Sequence, residues 1–431
     1  MKQASILFFL ILILTISCNK NETKNEEIVE IISEEPEIDS RPKAGTVEFL
    51  NQEKVDNNYI LVNDAGANRV YLMDKNSTIV YEWTLTKGIG NDVVLLPDGN
   101  LLAILQADDP SIEFGGQGGI IQIINKDGDI LWNFEHSTAD YITHHDVELL
   151  PNGNVLTMVW EKMPLQDAVD SGSKVAIDLY PEAIIEIDPN TNEIVWEWHA
   201  KDHLIQDYDL NKANYGVIAE NPQKIDLNYV SNDKGDIMHA NGLSYDTAKD
   251  VIYLSVNFYS EVWVIDHSSS KEQAATSSGG NYNKGGDIIY RFGNPEAYGN
   301  IGTRLFRNNH FPNILKGSNL GKMLIFTNGA ELLQSTVYEL VLPSTFNLQA
   351  GVDNEPEVSW SFTDPDLYSP KVSGAVDLPN GNRLITEGDF GLWEVSDSGE
   401  VLWKFEGNGF YWRAYHYTKN APEIIALELK K

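Results

Sequence analysis

Short apolar stretches that end on turn residues recur along the whole chain. One runs through residues 143–154 and closes on a Pro-Asn-Gly turn. The same phrase appears at residues 91–100 and 373–382, and looser copies begin at His239 and His310. Apolar runs of about four to eight residues bounded by such turns are typical of β-strands, and Asn-Gly is a strong tight-turn signal. The repeated phrase therefore predicts a chain built from repeated strand units.

Six such units follow one another, each with about four short strands and a period of roughly 40–50 residues. This pattern predicts an all-β fold, a six-bladed β-propeller of four-stranded blades, over residues 57–431. The last strand of each unit reads aliphatic-x-aromatic-x-aromatic, so alternation places the aromatic side chains on one face, against the next blade. Residues 412–415 are predicted to supply a closing strand. Two polar segments, 163–237 and 268–286, are predicted as an insertion over the channel and a flexible loop.

The N-terminus predicts export. Lys2 precedes the apolar run Ile6 to Ile16, which is short for a membrane span, and the run ends at Cys18. We interpret residues 1–18 as a lipoprotein signal peptide with Cys18 as the lipidation site; a plain signal peptide with an incidental cysteine is the alternative. Residues 19–56 are rich in Glu, Asn and Lys and are predicted to be an acidic, disordered tether. The expected location is the bacterial cell envelope, as a lipid-anchored periplasmic or outer-membrane protein.

The amino-acid composition limits the kinds of partner that this protein is expected to bind. The chain has 431 residues and a formal net charge of −33, which favours solubility and disfavours nucleic-acid binding. Membrane contact is expected through the lipid anchor only. Cys18 is the one cysteine, so its lipidation leaves no thiol for a disulfide or for a metal site.

Alignment of the repeats on their turns brings histidines to one position. His145 stands six residues before its turn proline, as Asn91 and Ser373 do in their copies, and His239 and His310 fall at the same point of the looser copies. Equivalent positions of a radially repeated fold form a ring around one axis. The three histidines are therefore expected to face one another across a small space.

Two chemistries use such a cluster. Three imidazoles with an open position suit zinc, and Asp146 or Asp236 could assist, but cysteine ligands are absent and none of the three histidines has another histidine at His-x-x-x-His spacing. Alternatively, one histidine is a nucleophile in group transfer, while the others stabilise charge on the transferred group. The residues alone leave both hypotheses open.

Several motifs in order point to a family. They are the segments 236–241, 254–258, 261–267 and 285–295, together with residues 144–146 and their Leu-Pro-Asn-Gly-Asn continuation. From about residue 57 to the C-terminus, the chain resembles the arylsulfate sulfotransferase family. The resemblance implies a six-bladed propeller that moves a sulfuryl group from one phenol to another. It implies no nucleotide donor, and we expect no cofactor and no metal.

The resemblance also assigns roles. It makes His310 the nucleophile and matches His145, His239 and Asn241 to further family site residues. His144 is the rival of His145 and a candidate substrate contact. The implied reaction is ping-pong: His310 forms a sulfohistidine, and His239 or His145, when protonated, stabilises the departing phenolate and then assists the incoming phenol.

One position departs from the family. Asn257 stands where the family usually has an arginine that holds sulfate oxygens, although Asn257 and Asn241 can still offer amide donors. Arg304, Arg307 and Arg413 are candidate substitutes. The departure supports an alternative function, a catalytically impaired propeller that binds an anionic or aromatic ligand at the cell envelope. A metal-dependent hydrolase is a third hypothesis.

Overall fold

Alternation of apolar and polar residues produces short strands throughout residues 39–429, the part of the chain that the computed structural model describes. The predicted signal peptide, its Cys18 and residues 19–38 lie outside the described residues. The first strands are β1 (Gly45–Leu50), β2 (Tyr59–Asp64), β3 (Arg69–Met73), β4 (Ile79–Trp83), β5 (Ile89–Leu95), β6 (Leu101–Gln106), β7 (Gly119–Ile124), β8 (Ile130–Glu135), β9 (Tyr141–Leu149), β10 (Val155–Glu161), β11 (Glu182–Asp188), β12 (Glu193–His199), β13 (Leu204–Ile205) and β14 (Ile225–Asp226).

The second half continues in the same way, with few helices. Its strands are β15 (Ala240–Asp246), β16 (Val251–Val256), β17 (Glu261–Asp266), β18 (Tyr290–Phe292), β19 (Asn309–Ile314), β20 (Lys322–Thr327), β21 (Thr336–Val341), β22 (Glu357–Phe362), β23 (Gly374–Asp377), β24 (Arg383–Glu387), β25 (Gly391–Val395), β26 (Val401–Gly407) and β27 (Tyr411–Tyr417). The helices are α1 (Leu165–Asp170), α2 (Lys271–Ala274) and α3 (Pro422–Ala426), with single 3₁₀ turns at Ala200–His203, Ile218–Glu220, Pro295–Tyr298 and Gly317–Asn319.

The strands form small antiparallel sheets in a propeller-like arrangement, so the all-β prediction is confirmed. Three sheets have four strands, in the orders β27-β2-β3-β4, β15-β16-β17-β18 and β19-β20-β21-β22, and one has five, β1-β26-β25-β24-β23. An eight-stranded sheet has the order β12-β11-β10-β9-β5-β6-β7-β8, and β13 and β14 form a parallel pair. The halves of the eight-stranded sheet meet at one parallel pair, Asn91 with His145.

The two ends of the folded unit are tied into sheets. The predicted closing strand is confirmed: β27 pairs antiparallel with β2, from Tyr59 opposite Tyr417 to Asp64 opposite Tyr411. The predicted tether extends too far, because residues 45–50 form β1 and pair with β26. Val47 packs against the buried cluster that contains Trp403, so this segment has apolar surface to bury. Pairing at both ends removes open sheet edges.

Aromatic side chains on the outermost strands connect neighbouring sheets. On each of β4, β8, β12, β18, β22 and β26, a Trp or Tyr donates a hydrogen bond to the following unit, in the connection between its third and fourth strands. The donors and acceptors are Tyr81 and Lys126 O (2.5 Å), Trp132 and Asn192 Oδ1 (2.7 Å), Trp196 and Ser269 O (2.9 Å), Tyr290 and Asn354 O, Trp360 and Asp397 O (3.0 Å), and Trp403 and Lys75 O (2.9 Å). The aromatic repeat therefore packs between sheets, as predicted, and also supplies hydrogen bonds.

The two predicted polar segments contain regular structure beyond the strands that the repeat predicts. Besides β11 and β12, which are the predicted last strands of the third unit, residues 163–237 contain α1, β13, β14 and two 3₁₀ turns. Residues 268–286 contain α2, whose N-terminus has a capping box: Gln273 N–H donates to Ser270 Oγ and Ser270 N–H donates to Gln273 Oε1. Within residues 39–429, no helix has the length and apolar character needed to span a membrane.

Candidate functional site

The inner strands carry bulges at the repeated position. Left-handed backbone occurs at the aligned residues Asn91 (φ 117°), His145 (φ 59°), His239 (φ 50°) and Ser373 (φ 88°). In the fifth unit it falls on Phe311 (φ 54°), so His310 lies one residue before the aligned position. Positive φ is unfavourable for residues other than glycine, and bulges of this kind re-aim side chains. The alignment is thus correct for four units and shifted by one residue at His310.

The structure brings the three predicted histidines together. The rings of His145 and His239 have centroids 5.0 Å apart. The ring of Trp412 contacts both His145 and His310, with its centroid 5.3 Å from the ring of His145 and 5.9 Å from the ring of His310. His310 and His145 are almost fully buried, whereas the His239 side chain is 19% exposed. His239 therefore forms the solvent side of this histidine cluster.

His310 is fixed in one tautomer by neutral groups. The Asn328 amide nitrogen donates to Ser369 O (2.9 Å) and Val372 O (3.0 Å), which leaves Asn328 Oδ1 to face His310 Nδ1 at 2.6 Å. Because Oδ1 only accepts, Nδ1 must carry the proton. The Val372 N–H donates to His310 Nε2 at 3.2 Å, which requires a lone pair on Nε2.

His310 is also held uncharged. Burial lowers the pKa of His310, the Asn328 hydrogen bond opposes that effect, and repulsion from His239 and Arg413 adds to it, which brings the pKa to about 3. Strained backbone stands beside it, since Val372 has φ 55° and is β-branched. A neutral imidazole with a lone pair on Nε2 has the protonation form required of a nitrogen nucleophile, although the Val372 N–H donates to that lone pair in this structure.

His239 has the opposite environment. Asp236 Oδ2 lies 2.5 Å from His239 Nδ1, and Asp236 Oδ1 accepts from the His239 backbone N–H at 3.0 Å. Burial lowers the pKa of His239, but attraction and hydrogen bonding by Asp236, with help from Glu182, outweigh burial and raise the pKa above its ordinary value. Phe258 stacks on the ring at 4.8 Å. Of the histidines in the cluster, His239 is therefore the one whose environment favours the protonated form.

His145 is backed by His144, and the two are partners rather than rivals. Their Nδ1 atoms lie 2.8 Å apart, and His144 Nε2 lies 2.8 Å from Glu182 Oε2. His144 and Glu182 are fully buried, and His144 stacks on Trp160 with centroids 3.7 Å apart. Burial, reinforced by repulsion from His239, lowers the pKa of both His144 and His145 well below its usual range.

The predicted site residues Asn241 and Asn257 form hydrogen bonds to the backbone next to His310. The amide nitrogens of Asn241 and Asn257 both donate to Asn309 O, at 2.8 and 3.2 Å. Asn257 Oδ1 also accepts from the Asn308 amide at 3.1 Å. Each asparagine nitrogen has a second hydrogen, so these bonds fix the chain before His310 and leave one N–H on each amide.

Arg413 is the candidate arginine that reaches the cluster. Its charge contributes to the lowered pKa of both His145 and His310. Its Nη1 lies 2.9 Å from Asp146 Oδ2, and its Nη2 donates to Asn241 O at 3.2 Å. The other two candidates have carboxylate partners elsewhere, Arg304 with Glu296 at 3.7 Å and Arg307 with Glu331 at 2.5 Å. The guanidinium nearest the histidines is thus already paired.

The histidine cluster is neither part of the two surface clefts described here nor arranged as a metal site. Two open surface clefts of about 510 and 530 Å³ are lined by residues such as Tyr215 and Glu296, or Val175 and Asp233, and by none of the three histidines. Within residues 39–429, no group of three His, Cys, Asp or Glu side chains is arranged to hold a metal ion. The site is defined by its histidines and the groups that set their protonation.

Comparison with known families decides the affiliation. The sequence profile of the Arylsulfotransferase (ASST) family matches residues 45–330. The chain belongs to the arylsulfotransferase family. This match contains His145, His239, His310 and the two asparagines, but ends before Val372 and Trp412. Membership suggests aryl sulfotransferase activity with aryl sulfates as substrates.

Solved structures similar to this chain are distant in sequence. A protein of unknown function from Bacteroides caccae has 15% identity and a TM-score of 0.47, covering 83% of this chain and 98% of its own. The periplasmic gluconolactonase PpgL of Pseudomonas aeruginosa has 9% identity and a TM-score of 0.45, covering 84% of this chain and 99% of its own. No curated protein matches the sequence.

The sequence did not identify several groups of this candidate site. Glu182 is the first residue of strand β11, which also contains Glu186 and Asp188, so no local pattern marks it as a functional carboxylate. Trp412 was predicted only as part of a closing strand, yet its ring contacts two of the histidines and its buried Nε1–H has no hydrogen-bond partner among the described residues. Asn328 and Val372 come close to His310 only through folding, so no local pattern marks them.

Proposed function

We propose that this protein transfers a sulfuryl group from an aryl sulfate to a phenolic acceptor through a sulfohistidine on His310. The observation that carries the proposal is the neutral tautomer of His310, with Nδ1–H held by Asn328 and the lone pair on Nε2. Family membership supports the same reaction class. A nucleophilic imidazole splits the transfer into two easier steps.

In the first step, the Val372 N–H moves away from His310 Nε2, the freed lone pair attacks sulfur, an N–S bond forms, and the S–O bond to the phenol breaks. The aryl phenolate leaves and the sulfuryl group stays on His310. In the second step, the acceptor oxygen attacks sulfur, its proton passes to a base, and His310 regains its lone pair. No cofactor takes part in this balance.

Positive charge for the sulfuryl oxygens comes from His239 in this proposal. Its pKa is raised above the ordinary value, with burial opposed by Asp236, so the ring can act as the fixed cation that the arginine supplies elsewhere in the family. The free N–H of Trp412 and the second amide hydrogens of Asn241 and Asn257 add neutral donors. A preorganised donor of this kind contributes up to about 3–4 kcal/mol of transition-state stabilisation.

The second candidate is a catalytically impaired propeller that binds an aryl sulfate or another anionic or aromatic ligand at the cell envelope. Asn257, the neutral replacement for the family arginine, favours it. So does the Val372 N–H that already occupies His310 Nε2. Saturable binding of an aryl sulfate without turnover would select this candidate.

The direct test mixes the purified protein with 4-nitrophenyl sulfate and a phenol. We expect release of nitrophenol and formation of the new aryl sulfate by the native protein, and loss of both in His310→Ala. His267→Ala is the control, because His267 is a partly buried histidine held by Glu186 and Asp250 rather than by the groups that hold His310. Unchanged nitrophenol release in His310→Ala would remove His310 from the nucleophile role.

We also propose that the fold has six blades. The proposal counts the eight-stranded sheet as two blades, β5–β8 and β9–β12, because the halves share a single parallel pair. The six aromatic hydrogen bonds between consecutive units support it, since each occupies the same place in its unit. An experimental structure with a different number of radial sheets would contradict this count.

Finally, we propose that Cys18 is lipidated and that residues preceding β1 tether the domain to the bacterial cell envelope. The support is the sequence alone: an apolar run that ends at the chain's one cysteine. Mass spectrometry of the mature N-terminus tests it, with a diacylglyceryl group on Cys18 expected. A mature protein that retains residues 1–18, or is cut elsewhere, would contradict it.

A further inference from the structure

A continuous line of buried hydrogen-bonding groups leads from the wall of the site to His145. Glu182 Oε2 lies 2.8 Å from His144 Nε2, and His144 Nδ1 lies 2.8 Å from His145 Nδ1. Both His144 and Glu182 are completely buried. The line ends at the His145 ring, whose Nε2 takes part in neither of these two hydrogen bonds.

The two ends of the line, Glu182 and His145 Nε2, differ in their neighbours. Glu182 Oε1 accepts from the Ala240 N–H at 2.7 Å, so only Oε2 is left to exchange a proton with His144. At the other end, the Gly116 backbone stands next to His145 Nε2, and a methyl group on Gly116 would lie only 2.1 Å from that atom, so a side chain there would cover it. Gly116 also has φ 89°, which other residues rarely adopt.

We propose that Glu182, His144 and His145 form a proton relay that lets His145 give a proton to the departing phenolate and take one from the acceptor phenol while staying neutral. The proposal rests on the proposed sulfuryl transfer and names the residues that handle its proton. His145 is the catalytic member, and His144 and Glu182 are positioning residues that act through it.

The relay has two states that differ by one proton. In the accepting state, Glu182 is a carboxylate, His144 carries its proton on Nε2, His145 carries its proton on Nδ1, and His145 Nε2 has a lone pair. When Nε2 takes the phenol proton, the Nδ1 proton of His145 passes to His144 Nδ1 and the Nε2 proton of His144 passes to Glu182 Oε2. In the resulting donating state, Glu182 is neutral and His145 Nε2–H faces the site.

Electrostatics explain why a relay is needed. The charged groups facing His145 are His239, its neighbour at 5.0 Å, and Arg413 with its partners Asp146 and Asp92. An imidazolium at His145 would stand beside two cations in a buried site, which is unfavourable. Glu182 faces Asp236 and His239 across the wall, and burial followed by repulsion from Asp236 raises the pKa of Glu182 well above its usual range. A proton is thus better stored on Glu182 than on His145.

The test is Glu182→Gln with the two half-reactions measured separately. A glutamine can accept from Ala240 N–H and donate to His144 Nε2, but it cannot take up a proton. We expect a nitrophenol burst from 4-nitrophenyl sulfate at the native rate, since nitrophenolate leaves without protonation. Turnover with a weakly acidic phenol should fall about 100-fold or more. Acidic phenols, which arrive as phenolates, should restore it.

Controls separate the outcomes. Glu186→Gln, on the same strand and paired with His267 at 2.8 Å, should leave both half-reactions unchanged. His144→Phe keeps a ring on Trp160 without nitrogens and should repeat the Glu182→Gln result, which covers the case in which Glu182→Gln fails to fold. Native turnover with weak phenols in a folded Glu182→Gln, or a loss that acidic phenols do not restore, would overturn the relay. Absence of a burst in the native protein would instead overturn the proposed function.

Discussion

His310 and His239 are the same residue type in one site, yet their neighbours give them opposite protonation. Around His310 stand an amide oxygen, a backbone N–H and the cation Arg413, and the pKa of His310 is about 3 because burial is opposed only by the Asn328 hydrogen bond. Around His239 stands Asp236, 2.5 Å away, which outweighs burial and raises the pKa. A repeated residue therefore does not imply a repeated role; the second layer of groups assigns the nucleophile and the cation.

The largest effect should come from removing the nucleophile. His310→Ala is expected to lower sulfuryl transfer by roughly 10⁴-fold or more, as loss of a nucleophile does in enzymes that use covalent intermediates. The thermal unfolding midpoint should change little more than in His267→Ala. A transfer rate in His310→Ala within tenfold of the native rate would contradict the assignment of His310 as the nucleophile.

The next effect tests the cation. Asp236→Asn removes the carboxylate that raises the pKa of His239, so the protonated ring is lost at lower pH. The native transfer rate should be retained at acidic pH and fall as pH rises through the raised pKa of His239; in Asp236→Asn, this fall should shift to lower pH and the rate at neutral pH should drop about 100-fold. Asp250→Asn, which loses the contact to His267, is the control. Identical pH profiles for Asp236→Asn and native protein would contradict the role of His239.

A smaller effect is expected at the neutral partner of the nucleophile. Asn328→Ala removes the acceptor that holds the proton on His310 Nδ1 and leaves a buried donor unpaired, which costs about 1–3 kcal/mol, or roughly 5- to 150-fold in rate. Asn313→Ala serves as control, because Asn313 also donates to a strand backbone, Ala375 O at 3.0 Å. Equal rates for the two variants would show that Asn328 does not set the tautomer.

The smallest effect should be at Asn257. Its bond to Asn309 O is the longer of the two amide bonds there, 3.2 Å against 2.8 Å for Asn241. Asn257→Ala should therefore lower the rate by only about fivefold, equivalent to about 1 kcal/mol, whereas Asn241→Ala should lower it more. The reverse order would mean that Asn257 contacts the sulfuryl group more strongly than Asn241 does.

The strands and the histidine cluster could be predicted from sequence because they repeat. The Pro-Asn-Gly turns and the outer-strand aromatics each recur at a fixed place, and the left-handed backbone at Asn91, His145, His239 and Ser373 follows the same repeat. The shift of the bulge to Phe311 could not be predicted, since nothing local distinguishes it. Asn328 and Glu182 were missed because their function depends on contacts across the fold, 18 and 38 residues from their histidines.

The N-terminal boundary of the folded domain was wrongly predicted from composition. Acidic composition predicted a tether up to residue 56, but strand β1 pairs with β26 from the far end of the chain. Composition measures average solubility, whereas pairing depends on a few apolar residues such as Val47 that meet the buried cluster around Trp403.

The central claim is that His310 and no other residue carries the sulfuryl group. The most direct measurement mixes the protein with an aryl sulfate in the absence of acceptor, quenches at alkaline pH, and maps modified peptides by mass spectrometry. The account predicts one sulfuryl adduct, on His310, that disappears when a phenol is added. An adduct on His145 or His239, or aryl sulfate turnover with no protein adduct, would contradict it.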